Sequence, residues 1–290
     1  MAIDLHLETS CSGHPGEFPE VLVSQAARAG AEIVAIADRY TMEGLDAARR
    51  ALPSRLTLLP AVTVPCAVVV QEEYRTIELR GYLINPQDRL LLDLIGRART
   101  QRENRARTMV AMIAADHPRL TWLSVTRQSS GPIPGRPAIA RALLHHEIVA
   151  SLTRAYSSDW IGTGGRYFLP KRQPGAGEAL TAIRAAGGVP ILGWPRRPHR
   201  VQLTAAQIAD LKHAGLAGLE ADHPVHPRPA REMLHRIAAE HNLIVTGGSG
   251  SRGHTSTRSP RITAAVTQKI MYERILAAGT GSEPITSPLR

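Results

Sequence analysis

A short apolar strand pattern followed by a helical pattern recurs along most of the 290 residues. This alternation restricts the chain to an α/β architecture whose sheet is mainly parallel, either open or closed into a barrel. Residues 2–6 read as a strand, and 19–30 as a helix with Pro19 at its start and Gly30 at its end. Residues 32–37 read as a β-branched strand, 42–52 as a helix, 56–59, 61–70 and 76–84 as strands, and 88–115 as a long helix. The middle differs: 121–167 carries only short helical patterns between Gly, Pro and Ser loops, as a small helical insertion would. Alternation resumes with helix 176–186, strand 188–192, helix 204–214, strand 218–221, helix 229–240 and strand 243–246. The expected organisation is a barrel over 1–95 and 171–278, a helical insertion over 96–170, and a flexible Gly/Ser/Pro tail over 279–290.

Composition narrows the class of partner. Hydrophobic residues make up 43% and charged residues 21%, a globular balance. The longest apolar run, near 58–70, is broken by Pro60 and Pro65, so no membrane span is expected. Cys11 and Cys66 are too few for a disulfide framework, and the first residues lack a basic and then apolar leader, so a cytoplasmic protein is expected. A net charge of +10 permits a polyanionic partner such as nucleic acid. Of the 35 basic residues, however, only Lys171, Lys212 and Lys269 are lysine, an arginine excess that accompanies 24 Gly and 21 Pro as in GC-rich coding sequences. Aromatic residues, at 4%, are also few for a protein that stacks bases, so nucleic acid is allowed but not indicated. The run Arg97, Arg99, Arg102, Arg105 and Arg107 reads either as a phosphate-backbone contact or as the solvated face of a helix.

In α/β folds ligands bind beyond the carboxyl ends of the parallel strands, so the chemistry-bearing residues should follow each strand. After the first strand stand His6, Glu8, Ser10, Cys11, Ser12 and His14; after the second, Asp38, Arg39, Tyr40 and Thr41. Thr63, Trp194, the stretch from Glu220 to His226, and the loop 247–254 follow later strands. Cys11 has no spacing that specifies a Cys–His pair and reads as an inert thiol. The 247–250 Gly-rich stretch lacks the Lys-Ser/Thr ending of a P-loop.

These segments, in this order, resemble the PHP (polymerase and histidinol phosphatase) family, in particular its small phosphoesterases acting on nucleotide phosphates. Ile3-Asp4-Leu5-His6 resembles the family opening DLHxH, and Ile36-Ala37-Asp38-Arg39-Tyr40-Thr41 stands where the family has TDHDT. Leu59-Pro60-Ala61-Val62-Thr63-Val64 is similar to LPGVEI, and Gly135-Arg136-Pro137-Ala138-Ile139-Ala140-Arg141-Ala142 to GRPHIARA. Gly188-Val189-Pro190-Ile191-Leu192-Gly193-Trp194-Pro195 resembles GVPVLAHP, and Thr246-Gly247-Gly248-Ser249 the start of TGGSDFHG. The resemblance implies a distorted (β/α)7 barrel whose mouth holds divalent metals, usually three, on His, Asp and Glu.

The departures fall on the ligand positions the resemblance implies. Only His6 is unchanged; Glu8, Arg39, Thr63, Trp194, Gly250 and Arg252 replace family ligands, and Gly13 stands near another. Guanidinium has no lone pair to give a metal, and indole N–H only donates. Two unit charges about 4 Å apart repel by ~4 kcal/mol at an effective dielectric of 20, and a divalent ion by more. The multi-metal cluster and metal cofactors are therefore not expected. Arg39 and Arg252 either join Arg136, which matches the family's phosphate-binding arginine, on one anion, or point to solvent. The first expectation is a non-hydrolytic or repurposed protein that binds a phosphorylated small molecule or nucleotide. The alternative is a phosphoesterase with a rebuilt site for one divalent ion (Zn, Mn or Fe), its ligands drawn from His6, Glu8, Asp38, Glu220 and His254. His223 and His226 are also ligand-capable, although a Pro-rich loop commonly leaves histidines solvated.

Overall fold

The computed structural model describes residues 1–13, 15–193, 203–254 and 259–287. His14 and Trp194 lie outside the described residues. The strands are β1 (Ile3–Leu7), β2 (Ile33–Ile36), β3 (Thr57–Val70), β4 (Glu73–Tyr82), β5 (Val189–Gly193), β6 (Gly218–Asp222), β7 (Ile244–Gly247) and β8 (Ile285–Thr286). The helices are α1 (Pro19–Arg28), α2 (Leu45–Arg50), α3 (Arg89–Asp116), α4 (Trp122–Arg127), α5 (Arg136–His145), α6 (Leu152–Ala155), α7 (Ala176–Ala185), α8 (Ala205–His213), α9 (Arg228–Glu240) and α10 (Lys269–Ala278).

The chain divides into two compact units, Met1–Ile95 with Pro174–Arg290, and Gly96–Gln173. In the first, β1 to β7 lie side by side in sequence order. The segment after β7 brings the two ends of the sheet together, because Gly250 N–H donates to the His6 carbonyl at 2.9 Å and Glu8 N–H to that of Ser251 at 3.0 Å. The result is a nearly closed seven-stranded barrel, the α/β architecture that the alternation implies. Its floor is packed with Ile3, Leu5, Ala35, Leu59, Tyr82, Ile191 and Ile244, a fully apolar set apart from the Tyr82 hydroxyl. That hydroxyl donates to the Leu5 carbonyl at 2.8 Å.

One strand departs from the parallel pattern. β4 runs antiparallel to both β3 and β5. The cause is the two-residue connection Gln71-Glu72, whose φ values of 50° and 63° form the left-handed turn that matches the twist of a hairpin. The inversion has a consequence for the site: Glu78 and Arg80 project from β4 onto one face, with Glu78 opposite Gly193 at the carboxyl end of β5.

The stretch after α10 makes backbone contacts with the barrel unit as far as Thr286. Thr280 and Gly281 N–H groups both donate to the Gly187 carbonyl, and β8 pairs antiparallel with the start of β3. The second unit is helical, built on a core of Met109, Ile113, Leu120, Ile139, Leu143 and Tyr167. Within its basic run, Arg105 Nε donates to the Leu169 carbonyl and Arg107 pairs with Glu103 and stacks on Trp122. No helix among the described residues is long and apolar enough to cross a membrane.

Candidate active site

The carboxyl ends of β1, β2 and β6 deliver His6, Glu8, Asp38, Glu220 and His223 to one end of the barrel, all buried. β4 adds Glu78 and Arg80, and the loop after β7 adds Arg252. Three guanidiniums there meet three carboxylates. Arg39 Nε donates to Glu8 Oε1 at 3.1 Å, and its Nη2 reaches Glu78 Oε1 at 3.0 Å. Arg252 Nε donates to the other Glu8 oxygen at 3.0 Å. Arg80, a fully buried arginine, places Nη1 at 3.0 Å from Glu220 Oε2 and Nη2 at 2.9 Å from His6 Nε2. His6 Nδ1 completes a ring with Glu220 Oε1 at 2.9 Å.

Donor and acceptor roles in that ring are fixed by chemistry. Guanidinium offers only hydrogens, so the Arg80 contact is a hydrogen bond only if His6 Nε2 keeps its lone pair. The neutral His6 ring then carries its proton on Nδ1, the nitrogen that faces Glu220 Oε1 at 2.9 Å. Burial and Arg80 disfavour the His6 cation, while Glu220 and Glu8 outweigh them and raise its pKa. That pull and the Arg80 contact are opposed, and the geometry is that of the neutral ring. Burial would raise the carboxyls of Glu8 and Glu220, but Arg39 and Arg252 hold the first, and Arg80 the second, well below the ordinary range.

Of the residues expected to hold an ion, His6 and Glu220 come together, and His223 joins them. One donor atom from each lies within 4.8 Å of the other two. Glu8 is taken up by two arginines, and Asp38 by Thr9, which donates its N–H to Oδ1 at 2.6 Å and its hydroxyl to Oδ2 at 2.5 Å. Burial pushes the Asp38 carboxyl up to about 7, with Glu8 adding to the effect against the Thr9 hydrogen bonds. His254 is exposed, and its N–H donates to Gln25 Oε1 at 3.3 Å. Thr63 donates its hydroxyl to the Ala37 carbonyl at 2.7 Å and serves the β2–β3 junction. Cys11 is half-buried, which raises its pKa and keeps it a thiol.

The donor set decides which metal content fits. Two groups at 2.0–2.1 Å from one ion and at roughly right angles to tetrahedral spacing stand about 2.9–3.4 Å apart. The His6–Glu220 separation of 2.9 Å fits such an edge. Burial lowers His223 to about 3, so that ring is neutral, as a ligand must be. Its Nδ1 accepts the Val225 N–H at 3.1 Å. Nε2 lies toward Gly250, where a Cβ would come within 2.6 Å of it at a φ of +67°. These three groups form a set able to hold one divalent ion, and Arg39, Arg80 and Arg252 stand around the same mouth.

Sequence reasoning overlooked Arg80 and Glu78. Arg136 belongs to the helical unit, where its guanidinium lies over the Tyr156 and Phe168 rings and donates to the Ile161 carbonyl.

A solved structure described as a metal-dependent phosphoesterase, from Bifidobacterium adolescentis, is 31% identical to this chain, covers 96% of both chains and superposes with a TM-score of 0.75. This chain belongs to the PHP family of metal-dependent phosphoesterases. An amidohydrolase from Chromobacterium violaceum, solved with sulfate and no metal, shares this fold at 20% identity, 96% and 97% coverage and a TM-score of 0.75. Among curated proteins, the phosphoribosyl 1,2-cyclic phosphate 1,2-diphosphodiesterase of Eggerthella lenta is 24% identical over 254 residues, covering 87% of this chain and 95% of its own. No protein-family model matches the chain.

Proposed function

We propose that this PHP protein is a phosphoesterase that hydrolyses a small phosphorylated molecule, a sugar phosphate or nucleotide, with one divalent ion held by His6, Glu220 and His223. The observation that carries this reading is the convergence of those three buried groups at the carboxyl ends of β1 and β6. The relatives named for phosphoester chemistry support it, and it displaces the non-hydrolytic binding protein as the preferred reading.

When bound, the ion would polarise a phosphoryl oxygen and acidify a water. The chain's own groups do the rest. Arg39 and Arg252, clamped on Glu8, fix positive charge beside the mouth and attract an anionic ester. Arg252 spends Nε on Glu8 while its side chain stays 28% exposed, which suits a phosphate contact from its outer N–H groups. His226 donates Nδ1–H to the Ala221 carbonyl at 2.9 Å, so its buried Nε2 keeps a lone pair able to hold a proton. Within the helical unit, Arg136 and Arg102 sit close enough to Arg105 to help burial lower it to about 10, a concentration of positive charge that supports Arg136 as an anion-binding residue.

The test is hydrolysis of nucleoside monophosphates and of a cyclic ribose phosphate by protein loaded with Mn or Zn. Glu220→Ala should lower kcat/KM by about 10²-fold, as loss of an ion ligand does. Unchanged turnover in that variant rejects the site.

A further inference from the structure

The ring formed by Arg80, His6 and Glu220 sets a condition on that ion. Arg80 Nη2 lies 2.9 Å from His6 Nε2, a contact that suits only a ring whose Nε2 keeps its lone pair and whose Nδ1 therefore does not. A neutral His6 that ligated an ion through Nδ1 would instead carry its proton on Nε2, directly against the Arg80 N–H. Glu220 Oε2 is likewise turned to Arg80 at 3.0 Å. Guanidinium and ion therefore make opposed demands on the same two residues.

The backbone is shaped for the guanidinium. β5 ends at Gly193, opposite Glu78 across the β4–β5 ladder. A Cβ added there would lie 1.9 Å from Arg80 Nη1 and 2.8 Å from Cζ, so the planar group fills the space that a side chain at 193 would need. Arginine is always protonated, and a wholly buried one needs a buried anion; Glu220 serves, with Glu78 at 3.9 Å from Nη2.

We propose that Arg80 is an internal cation that competes with a divalent ion for His6 and Glu220, and that Gly193 is the residue that admits it. The proposal builds on the one-ion reading of this mouth, but the two fail differently. With Arg80 in place the ion's affinity is lowered; without it, His6 and Glu220 can exchange their guanidinium contacts for an ion of higher charge.

The experiment is calorimetric titration of chelator-treated full-length protein with Zn or Mn, with bound metal counted after gel filtration, for the wild type, Arg80→Met and Gly193→Ala. At least a tenfold gain in ion affinity, or an added equivalent of metal, is expected in Arg80→Met, and a gain of the same sign in Gly193→Ala. Equal or weaker binding in both overturns the proposal. A wild type without ion beside a variant that binds one would reject the one-ion reading and uphold the competition. One equivalent at equal affinity in all three would do the reverse. Should either variant fold only with metal present, its melting temperature must rise with Zn by more than that of the wild type. A third readout needs no variant: in ¹⁵N spectra of the wild type, Zn should shift the His6 ring and the Arg80 guanidinium together, and a shift of His6 with Arg80 unmoved contradicts the proposal.

Discussion

Arg80 and Gly193 are fitted to each other: the Arg80 guanidinium lies where any side chain at 193 would begin, with 1.9 Å between Nη1 and the position of a Cβ. This contact is why a fully buried arginine can sit inside the barrel beside Glu220. Deleting one partner of a buried ion pair leaves the other charged and unsolvated, at a cost of about 3–5 kcal/mol. In metal-free protein, Arg80→Leu should lose stability on that scale in urea unfolding. Arg80→Leu combined with Glu220→Gln should recover part of the loss, since the stranded carboxylate is gone; strictly additive losses would show that the two residues do not act as a pair.

Glu8 accepts from Arg39 and Arg252 through different oxygens. With the carboxylate buried and the arginines only partly exposed, each bond belongs with charged hydrogen bonds worth about 1.5–3 kcal/mol. A double-mutant cycle on Glu8→Gln and Arg39→Met should give a coupling energy in that range, measured at low salt. A value near zero would make the contact incidental.

Asp38 gives the protein an unusual pH response. Its folded-state carboxyl titrates at about 7, above the 3.8 of a free aspartate, so the folded chain holds a proton that the unfolded chain has lost. This contribution to stability is full below the unfolded pKa and is lost as pH rises from about 4 to about 7. Asp38→Asn keeps an acceptor for the Thr9 N–H but cannot titrate, and should remove that slope from unfolding free energies taken across this range. A slope unchanged in the variant would place the titrating group elsewhere.

The hairpin that inverts β4 turns through Gln71 and Glu72, both with positive φ. Glycine carries no Cβ penalty there. Glu72→Gly, or Asn-Gly in place of both, should stabilise the protein by about 0.5–1 kcal/mol in thermal or urea unfolding. A loss of stability would mean that the turn is of another type.

The sheet was legible in the alternation of strand and helix patterns, since burial of one face imposes a period that survives in a single sequence. Residues at the ends of parallel strands were legible for the same reason: His6, Glu8, Asp38 and Glu220 all follow an apolar run. Arg80 and Glu78 were not, because they lie on the inverted strand and reach the mouth from its middle. Their trace is the alternation Glu78, Arg80, Tyr82 within an otherwise apolar stretch, which marks an inward face that is partly ionic. The charge of Arg39 and Arg252 could be read, but not their partner, because Glu8 lies 31 and 244 residues away and only the closed barrel unites them.

The central claim, a single ion at His6, Glu220 and His223 that supports phosphoester hydrolysis, is tested most directly by metal analysis and turnover on the same sample, purified without chelator. The account predicts close to one equivalent of Zn, Mn or Fe per chain, hydrolysis that EDTA abolishes and added metal restores, and loss of both in Glu220→Ala. Turnover that persists in EDTA, or metal content that Glu220→Ala leaves unchanged, would contradict it.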